Sequence, residues 1–207
     1  LRLMPAERFT TVSGKAAAMR EDNIDTDIIF PARFLLITAR KGLGQYAFHD
    51  RRLAADGSPV AGYVLNRPGF DAPPVIVAGA NFGSGSSREQ AVWAIHGLGV
   101  RAVIAPGFGE IFFGNCLRNG IVPLVFPAET ISLLMDAAET GQTFTVDLER
   151  QVLEVAELAP LPFAIPPERR LALLNGWDET DQVLNQHGAD IDTFETGQRR
   201  SQPWLYA

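Results

Sequence analysis

Val75-Ile76-Val77-Ala78-Gly79-Ala80-Asn81-Phe82-Gly83-Ser84-Gly85-Ser86-Ser87-Arg88-Glu89-Gln90 decides how the chain is read. An apolar run, Val75–Ala78, leads into glycines and hydroxyls, and a helix-compatible run, Glu89–His96, follows. Gly83 and Gly85, three serines and an arginine therefore fall where a strand hands over to a helix. Such a junction presents backbone N–H groups and the positive end of a helix dipole, which favours an anion. Gly83 and Gly85 let the backbone turn tightly, and Arg88 can grip a carboxylate or phosphate through two parallel hydrogen bonds. The same residues have a plainer reading: Ser86-Ser87-Arg88-Glu89 fits a capping box in which Ser86 caps the helix and Glu89 bonds back. The stretch is not a Walker A loop, because no Gly-Lys-Ser/Thr follows. It is not the dinucleotide fingerprint, because Arg88 stands where a third glycine would be needed.

Working outward, the pattern after Pro74 is regular. Strand Val75–Ala78 and helix Glu89–His96 are followed by strand Val100–Ala105, the turn Pro106-Gly107-Phe108-Gly109 and helix Glu110–Arg118. Strand Ile121–Phe126 comes next, and Pro127 opens a helix through about Glu139. This alternation predicts an α/β fold with parallel βαβ units and the Gly83 loop on the edge formed by the strands' carboxyl ends. Thr143–Asp147 and Val152–Val155 read as a hairpin around Glu149-Arg150. Pro160–Pro167 reads as a connector, and Glu168–Asn175 and Glu179–His187 as helices, the second capped by Asp178. This divides the chain into an α/β domain over 1–160 and a C-terminal helical extension over 161–207 packed on it. The polar tail from Thr193 ends in Pro203-Trp204-Leu205-Tyr206, whose aromatics suggest docking on a surface or a mobile end.

The first 30 residues are mixed. Asp22 to Pro31 is expected to be a loop rather than a helix interior, given its acidic cluster and Pro31. Arg33–Arg40 is expected to be a short helix closed by Gly42 or Gly44. Asp50–Pro59 is polar and turn-rich.

Composition narrows the function. At 207 residues and 46% hydrophobic, the chain can bury one sizeable core. Net charge is −6 with no basic block, which argues against nucleic acid as a partner. No apolar run approaches the ~20 residues of a membrane span, and Leu1–Met19 lacks the basic and apolar halves of a secretory leader. Cys116 is the only cysteine. No intrachain disulfide can form, which fits a reducing, cytoplasmic setting. One thiol cannot complete an iron–sulfur cluster or a cysteine zinc site. His49, His96 and His187 are far apart and show no metal-ligand spacing, so no metal is expected on this chain.

Three separate motifs carry a family resemblance. Asn81 to Glu89 resembles the active-site loop of the aconitase superfamily's swivelling domain. Asp25-Thr26-Asp27-Ile28-Ile29-Phe30-Pro31 resembles a second signature of its small-subunit members. Val103 to Asn115, reading Val-Ile-Ala-Pro-Gly-Phe-Gly-Glu-Ile-Phe-Phe-Gly-Asn, is similar to a third. With Leu174-Asn175-Gly176-Trp177-Asp178 they occur in the order and spacing of the isopropylmalate dehydratase small-subunit family, from Phe9 to about Phe194. The fold this implies is an aconitase-type swivelling β/β/α domain with a helical extension.

The resemblance implies a two-chain hydro-lyase of leucine biosynthesis. A large subunit would carry a [4Fe–4S] cluster and this chain would carry none. The reaction it implies removes water from 2-isopropylmalate and returns it in the other sense, to give 3-isopropylmalate. By resemblance Ser86 is the base, Ser87 and Arg88 hold a carboxylate of a small dicarboxylate substrate beside Gly85, and Asp27 supports partner-chain groups at the active site. Arg40 sits near where a further carboxylate-binding arginine falls, its other reading being a solvated helix-end cation. Phe34-Leu35-Leu36 are candidates for contacting the substrate's alkyl group, their other reading being core packing. The chain departs from the usual pattern at Ser84, Gln90 and Val92, where cysteine or glutamate, histidine and proline are common. Gln90 can hydrogen-bond but cannot carry a proton charge. These departures bear on substrate identity, so a related hydratase acting on citraconate or dimethylmaleate is the nearest alternative. Beyond it stand a phosphate- or nucleotide-binding module, and an interaction protein without activity.

Overall fold

The computed structural model describes residues 7–206, so the first residues of Leu1–Met19 lie outside it. Seven strands form one mixed sheet in the order β4-β3-β2-β1-β5-β6-β7. They are β1 (Thr11–Met19), β2 (Val75–Ala78), β3 (Ala102–Ala105), β4 (Val122–Val125), β5 (Thr143–Asp147), β6 (Val152–Val155) and β7 (Leu161–Pro162). The helices are α1 (Thr26–Ile29), α2 (His49–Arg52), α3 (Glu89–Gly97), α4 (Glu110–Arg118), α5 (Ala128–Glu139), α6 (Pro167–Asn175) and α7 (Glu179–Ser201). From β2 to α6, β7 apart, these ranges agree with the sequence reading to within two residues.

The central strand was not legible in the sequence. The two halves of β1 serve different neighbours. Thr11–Lys15 pairs antiparallel with β5, and Ala16–Met19 pairs parallel with β2. This strand joins the parallel β1-β2-β3-β4 half to the antiparallel β5-β6-β7 meander. Within β2 and β3 all residues are buried, and alternate side chains enter two different cores. Ile76, Ala78, Val103 and Ala105 meet Ile95, Phe112 and Phe30 on one face. Val75, Val77, Ala102 and Ile104 meet Leu134, Met135 and Phe144 on the other. Strands covered on both faces explain the unbroken apolar runs. Each fully buried Val, Leu or Ile in these layers contributes about 1.5–3 kcal/mol.

Several expectations need correction. Asp22–Pro31 is not all loop. Asp25 caps a one-turn helix, α1, by accepting from the Ile28 N–H at 2.8 Å. Arg33–Arg40 is not a helix beyond the 3₁₀ turn Ala32–Phe34. The aromatic packing of Phe34 on Tyr46, at 4.5 Å between ring centroids, sets the course of this segment instead. The Pro160–Pro167 connector holds β7, which pairs with β6. α7 runs well past His187, to Ser201, so most of the tail from Thr193 is helical. Tyr206 closes back onto α7, with the Arg199 guanidinium 4.1 Å from its ring, while Trp204 and Leu205 stay exposed. Among the described residues no helix is long and apolar enough to cross a membrane.

Candidate active site

The carboxyl ends of β1, β2 and β3 converge, as the fold rule for parallel strands requires. The loop after β2 is stitched to both neighbours by backbone hydrogen bonds. On one side Gly83 N donates to Ile24 O at 2.7 Å and Thr26 N donates to Ser84 O at 2.9 Å. On the other side Phe82 N donates to Gly107 O at 3.1 Å and Gly109 N donates to Phe82 O at 2.9 Å. Beneath them Phe82 packs edge-on against Phe112 at 5.5 Å and Phe108 at 6.3 Å. Gly83 has a left-handed φ of +69°, and a Cβ there would lie 2.1 Å from the Phe112 ring. Only glycine meets both demands. Gly85, at φ +93°, then turns the chain so that Ser86 and Ser87 stand exposed.

This geometry overturns the capping-box reading of Ser86. The Ser86 carbonyl accepts from Thr26 Oγ1 at 3.1 Å, and α3 begins only at Glu89, with Arg88 at its N-cap and no side-chain cap. Glu89 does not bond back. It accepts from Asn119 Nδ2 at 2.8 Å, and Asn119 in turn accepts from Trp93 Nε1 at 3.0 Å. The first N–H groups of α3 therefore keep their donor capacity for something else.

Ser86, Ser87, Arg88 and Gly85 line one cavity of about 190 Å³ together with Thr26, Gly83, Gly109, Glu110, Ile111, Phe112 and Asn115. The Arg88 guanidinium is largely buried and donates to Asp27 Oδ1, whose carboxylate is half-exposed. Asp27, of the Asp25–Pro31 motif, thus faces the arginine, while Thr26 beside it pins the serine loop. Asn115 is buried on α4 and accepts from Arg118.

The structure does not bring every candidate here. Arg40 lies 4.1 Å over the Trp93 ring and lines a separate cavity of about 520 Å³ with His96, Arg118 and Trp177. Phe34 and Leu35 pack against the core below α3, and Leu36 is 93% exposed on its loop. None of the three lines the serine cavity. Conversely, Thr26, Glu110, Ile111 and Asn115 stood inside the quoted family motifs but were given no role of their own. Their signal was positional, since Gly109-Glu110 follows the carboxyl end of β3 just as Gly83 follows that of β2.

Burial pushes the His96 imidazole below its ordinary range, helped by nearby Arg101 and Arg40, and pushes the Cys116 thiol up. Cys116 is fully enclosed on α4. Among the described residues no three His, Cys, Asp or Glu side chains converge as a metal site.

Comparison with known proteins bears on these residues directly. The aconitase C-terminal domain family matches residues 6–129, which include all the residues of the serine cavity. A second family, the C-terminal domain of the 3-isopropylmalate dehydratase small subunit, matches residues 186–207. The chain is 45% identical over 200 residues to a 3-isopropylmalate dehydratase small subunit of Rhodospirillum centenum, covering 96% of this chain and 98% of the relative. It is 48% identical over 200 residues to one from Gluconacetobacter diazotrophicus, covering 96% of each. A crystal structure of 3-isopropylmalate dehydratase from Methanocaldococcus jannaschii superimposes with a TM-score of 0.64 at 26% identity, over 89% of this chain and 99% of that one. The chain belongs to the 3-isopropylmalate dehydratase small-subunit family, built on the aconitase C-terminal domain.

Proposed function

We propose that this chain is the small subunit of a two-chain hydro-lyase that interconverts 2-isopropylmalate and 3-isopropylmalate in leucine biosynthesis, with a larger partner. The observation that carries the reading is the meeting of Ser86 and Arg88 at one cavity, with Asp27 paired to the arginine, in a chain so close to small subunits of that name. Those relatives do not favour the smaller methyl-substituted diacids as substrate.

The residues suit a dicarboxylate. A proton beside a carboxylate is weakly acidic, and its removal needs a strong base whose charge is stabilised. Ser86 Oγ is exposed at the cavity rim, next to the start of α3, whose N–H groups and dipole lower the cost of an alkoxide. Ser86 takes the proton, the electron pair forms the carbon–carbon double bond and hydroxide leaves the adjacent carbon. Return of water in the opposite sense moves the hydroxyl to the neighbouring carbon. Arg88 and Ser87 hold a substrate carboxylate, which replaces Asp27 on the guanidinium and leaves Asp27 for cationic groups of the partner.

A [4Fe–4S] cluster held by the partner would supply the Lewis acidity that departure of hydroxide needs. The groups at the cavity fit that division, being hydroxyls, N–H groups and a guanidinium that recognise anions. The enclosed Cys116 thiol cannot reach the cavity as a cluster ligand. Residues 161–207 extend the α/β domain rather than form a second body. Supporting this, Ile165 and Leu173 enter the core beneath the sheet, and Phe9 N donates to Leu173 O at 2.9 Å.

The deciding experiment co-expresses the chain with a cysteine-bearing large subunit and assays 2-isopropylmalate, citraconate and dimethylmaleate. Turnover of isopropylmalate by the pair, and by neither chain alone, is expected. Activity of the isolated chain, or of the pair on the other diacids only, would refute the reading.

A further inference from the structure

We propose that Ile111 is the side chain on this polypeptide that receives the substrate's branched alkyl group and so favours isopropyl- over methyl-substituted diacids. The proposal rests on the hydro-lyase reading above and names a specificity determinant within that same cavity. A dicarboxylate bound by Arg88 and N–H groups has its charge satisfied, but its isopropyl branch gains only if it leaves water for an apolar surface. The Phe34–Leu36 stretch does not line the cavity, so the sequence's own candidates for that surface are absent. Of the cavity residues, the glycines, serines, Thr26, Arg88, Glu110 and Asn115 offer little apolar surface. Phe112 is large, but only 2% exposed, its ring lying under Gly83. Ile111 is 53% exposed and lines the same cavity.

Its mounting is rigid. Ile111 stands in the first turn of α4, next to Phe112, which packs on Phe82 at 5.5 Å, and Phe113, which packs on Phe108 at 5.8 Å. Gly109, just before the helix, is tied to Phe82 by backbone hydrogen bonding. A β-branched side chain is also stiff at χ1. A fixed apolar side chain at the cavity discriminates by surface contact, each methylene being worth a few-fold in affinity.

The test measures kcat/KM of the reconstituted pair for 2-isopropylmalate and 2-methylmalate, with wild type, Ile111→Ala and Ile111→Leu. Losing three carbons of contact is expected to lower the isopropyl-to-methyl ratio about 10- to 60-fold in Ile111→Ala. Ile111→Leu is expected to restore most of the ratio. Association of the two subunits is followed by sedimentation velocity. A ratio unchanged in Ile111→Ala overturns the proposal, whether both substrates suffer equally or the two chains simply associate less well. A wild-type pair inactive on isopropylmalate overturns the function reading, and the proposal with it. An active wild type with an unchanged ratio overturns the proposal alone.

Discussion

The loop after β2 and helix α7 are held by opposite means. Residues 82–86 are fixed from both sides, by hydrogen bonds to Ile24 and Thr26 and to Gly107 and Gly109, over the buried Phe112 ring. α7, though 23 residues long, buries none of its side chains. Its order comes from local sources: the reciprocal Asp178–Asp181 cap, and i−4 side-chain bonds such as Asn185 Nδ2 to Asp181 O at 2.7 Å. Chemistry that needs sub-ångström placement sits on the over-determined element. The helix that no core secures leaves Val183, Leu184 and Phe194 exposed. A substitution in the loop should therefore be felt throughout the domain, or in catalysis, and one in α7 only locally.

Ser86→Ala should produce the largest effect and separates chemistry from scaffold within the loop itself. Its side chain caps nothing, so the thermal midpoint should stay near wild type, while kcat of the reconstituted pair falls by roughly 10²–10⁴-fold. Lost stability with kcat preserved would return Ser86 to a structural role.

Arg88 comes next. Its pairing with Asp27 gives it a scaffold role before substrate arrives, so the two roles are separated by substitution chemistry. Arg88→Ala should lower kcat/KM by at least ~10², and Arg88→Lys should recover only part, because an ammonium lacks the planar two-pronged donor set. If lysine restores full kcat/KM, or melting accounts for the whole loss, Arg88 serves the Asp27 pair alone.

Gly83→Ala tests whether the loop is as over-determined as its packing implies. The left-handed φ costs an L-residue about 1–2 kcal/mol, and forcing the Phe112 ring aside adds about 1–3 kcal/mol. Urea unfolding should report a loss of about 2–5 kcal/mol. A loss under about 1 kcal/mol would mean that the loop relaxes easily, and the contrast with α7 would fail.

How far each region could be read from sequence follows the same division. The βαβ run was legible because β2, β3 and β4 are short apolar stretches punctuated by Gly83, Gly107 and Gly120. β1 was not, because Gly14, Lys15 and three alanines carry weak strand preference, and its identity comes from pairing with β2 and β5 at once. α7 was read too short because Gly188 resembles a stop, and no buried face marked its true length. At the site, the family resemblance pointed to Ser86, Arg88 and Asp27, but the capping-box spacing at Ser86 suggested a cap that does not form. The competing partner, Thr26, is sixty positions away, and Glu89 is claimed by Asn119 on another helix. Arg40 and Phe34–Leu36 sat close in sequence to the Asp25–Pro31 motif, yet the turn Ala32–Phe34 and the Trp93 stack carry them elsewhere.

The smallest effect probes the weaker region. Asp178 Oδ1 accepts from Asp181 N at 2.8 Å, and Asp178 N donates to Asp181 Oδ2 at 3.3 Å, so replacing the Asp178 side chain removes the first half of the cap and leaves the second. Asp178→Ala should cost the helix about 1 kcal/mol, and it also removes a negative charge from the favourable end of the helix dipole. A helix without buried residues opens without the sheet opening. Amide exchange along α7 should therefore speed up about fivefold, while exchange in β2 and β3 and the domain's unfolding midpoint stay put. The opposite pattern, a lower midpoint with exchange accelerated in the sheet as well, would mean that α7 and the core unfold as one cooperative unit. The contrast between an over-determined loop and a locally maintained helix would then give way to a single cooperative domain.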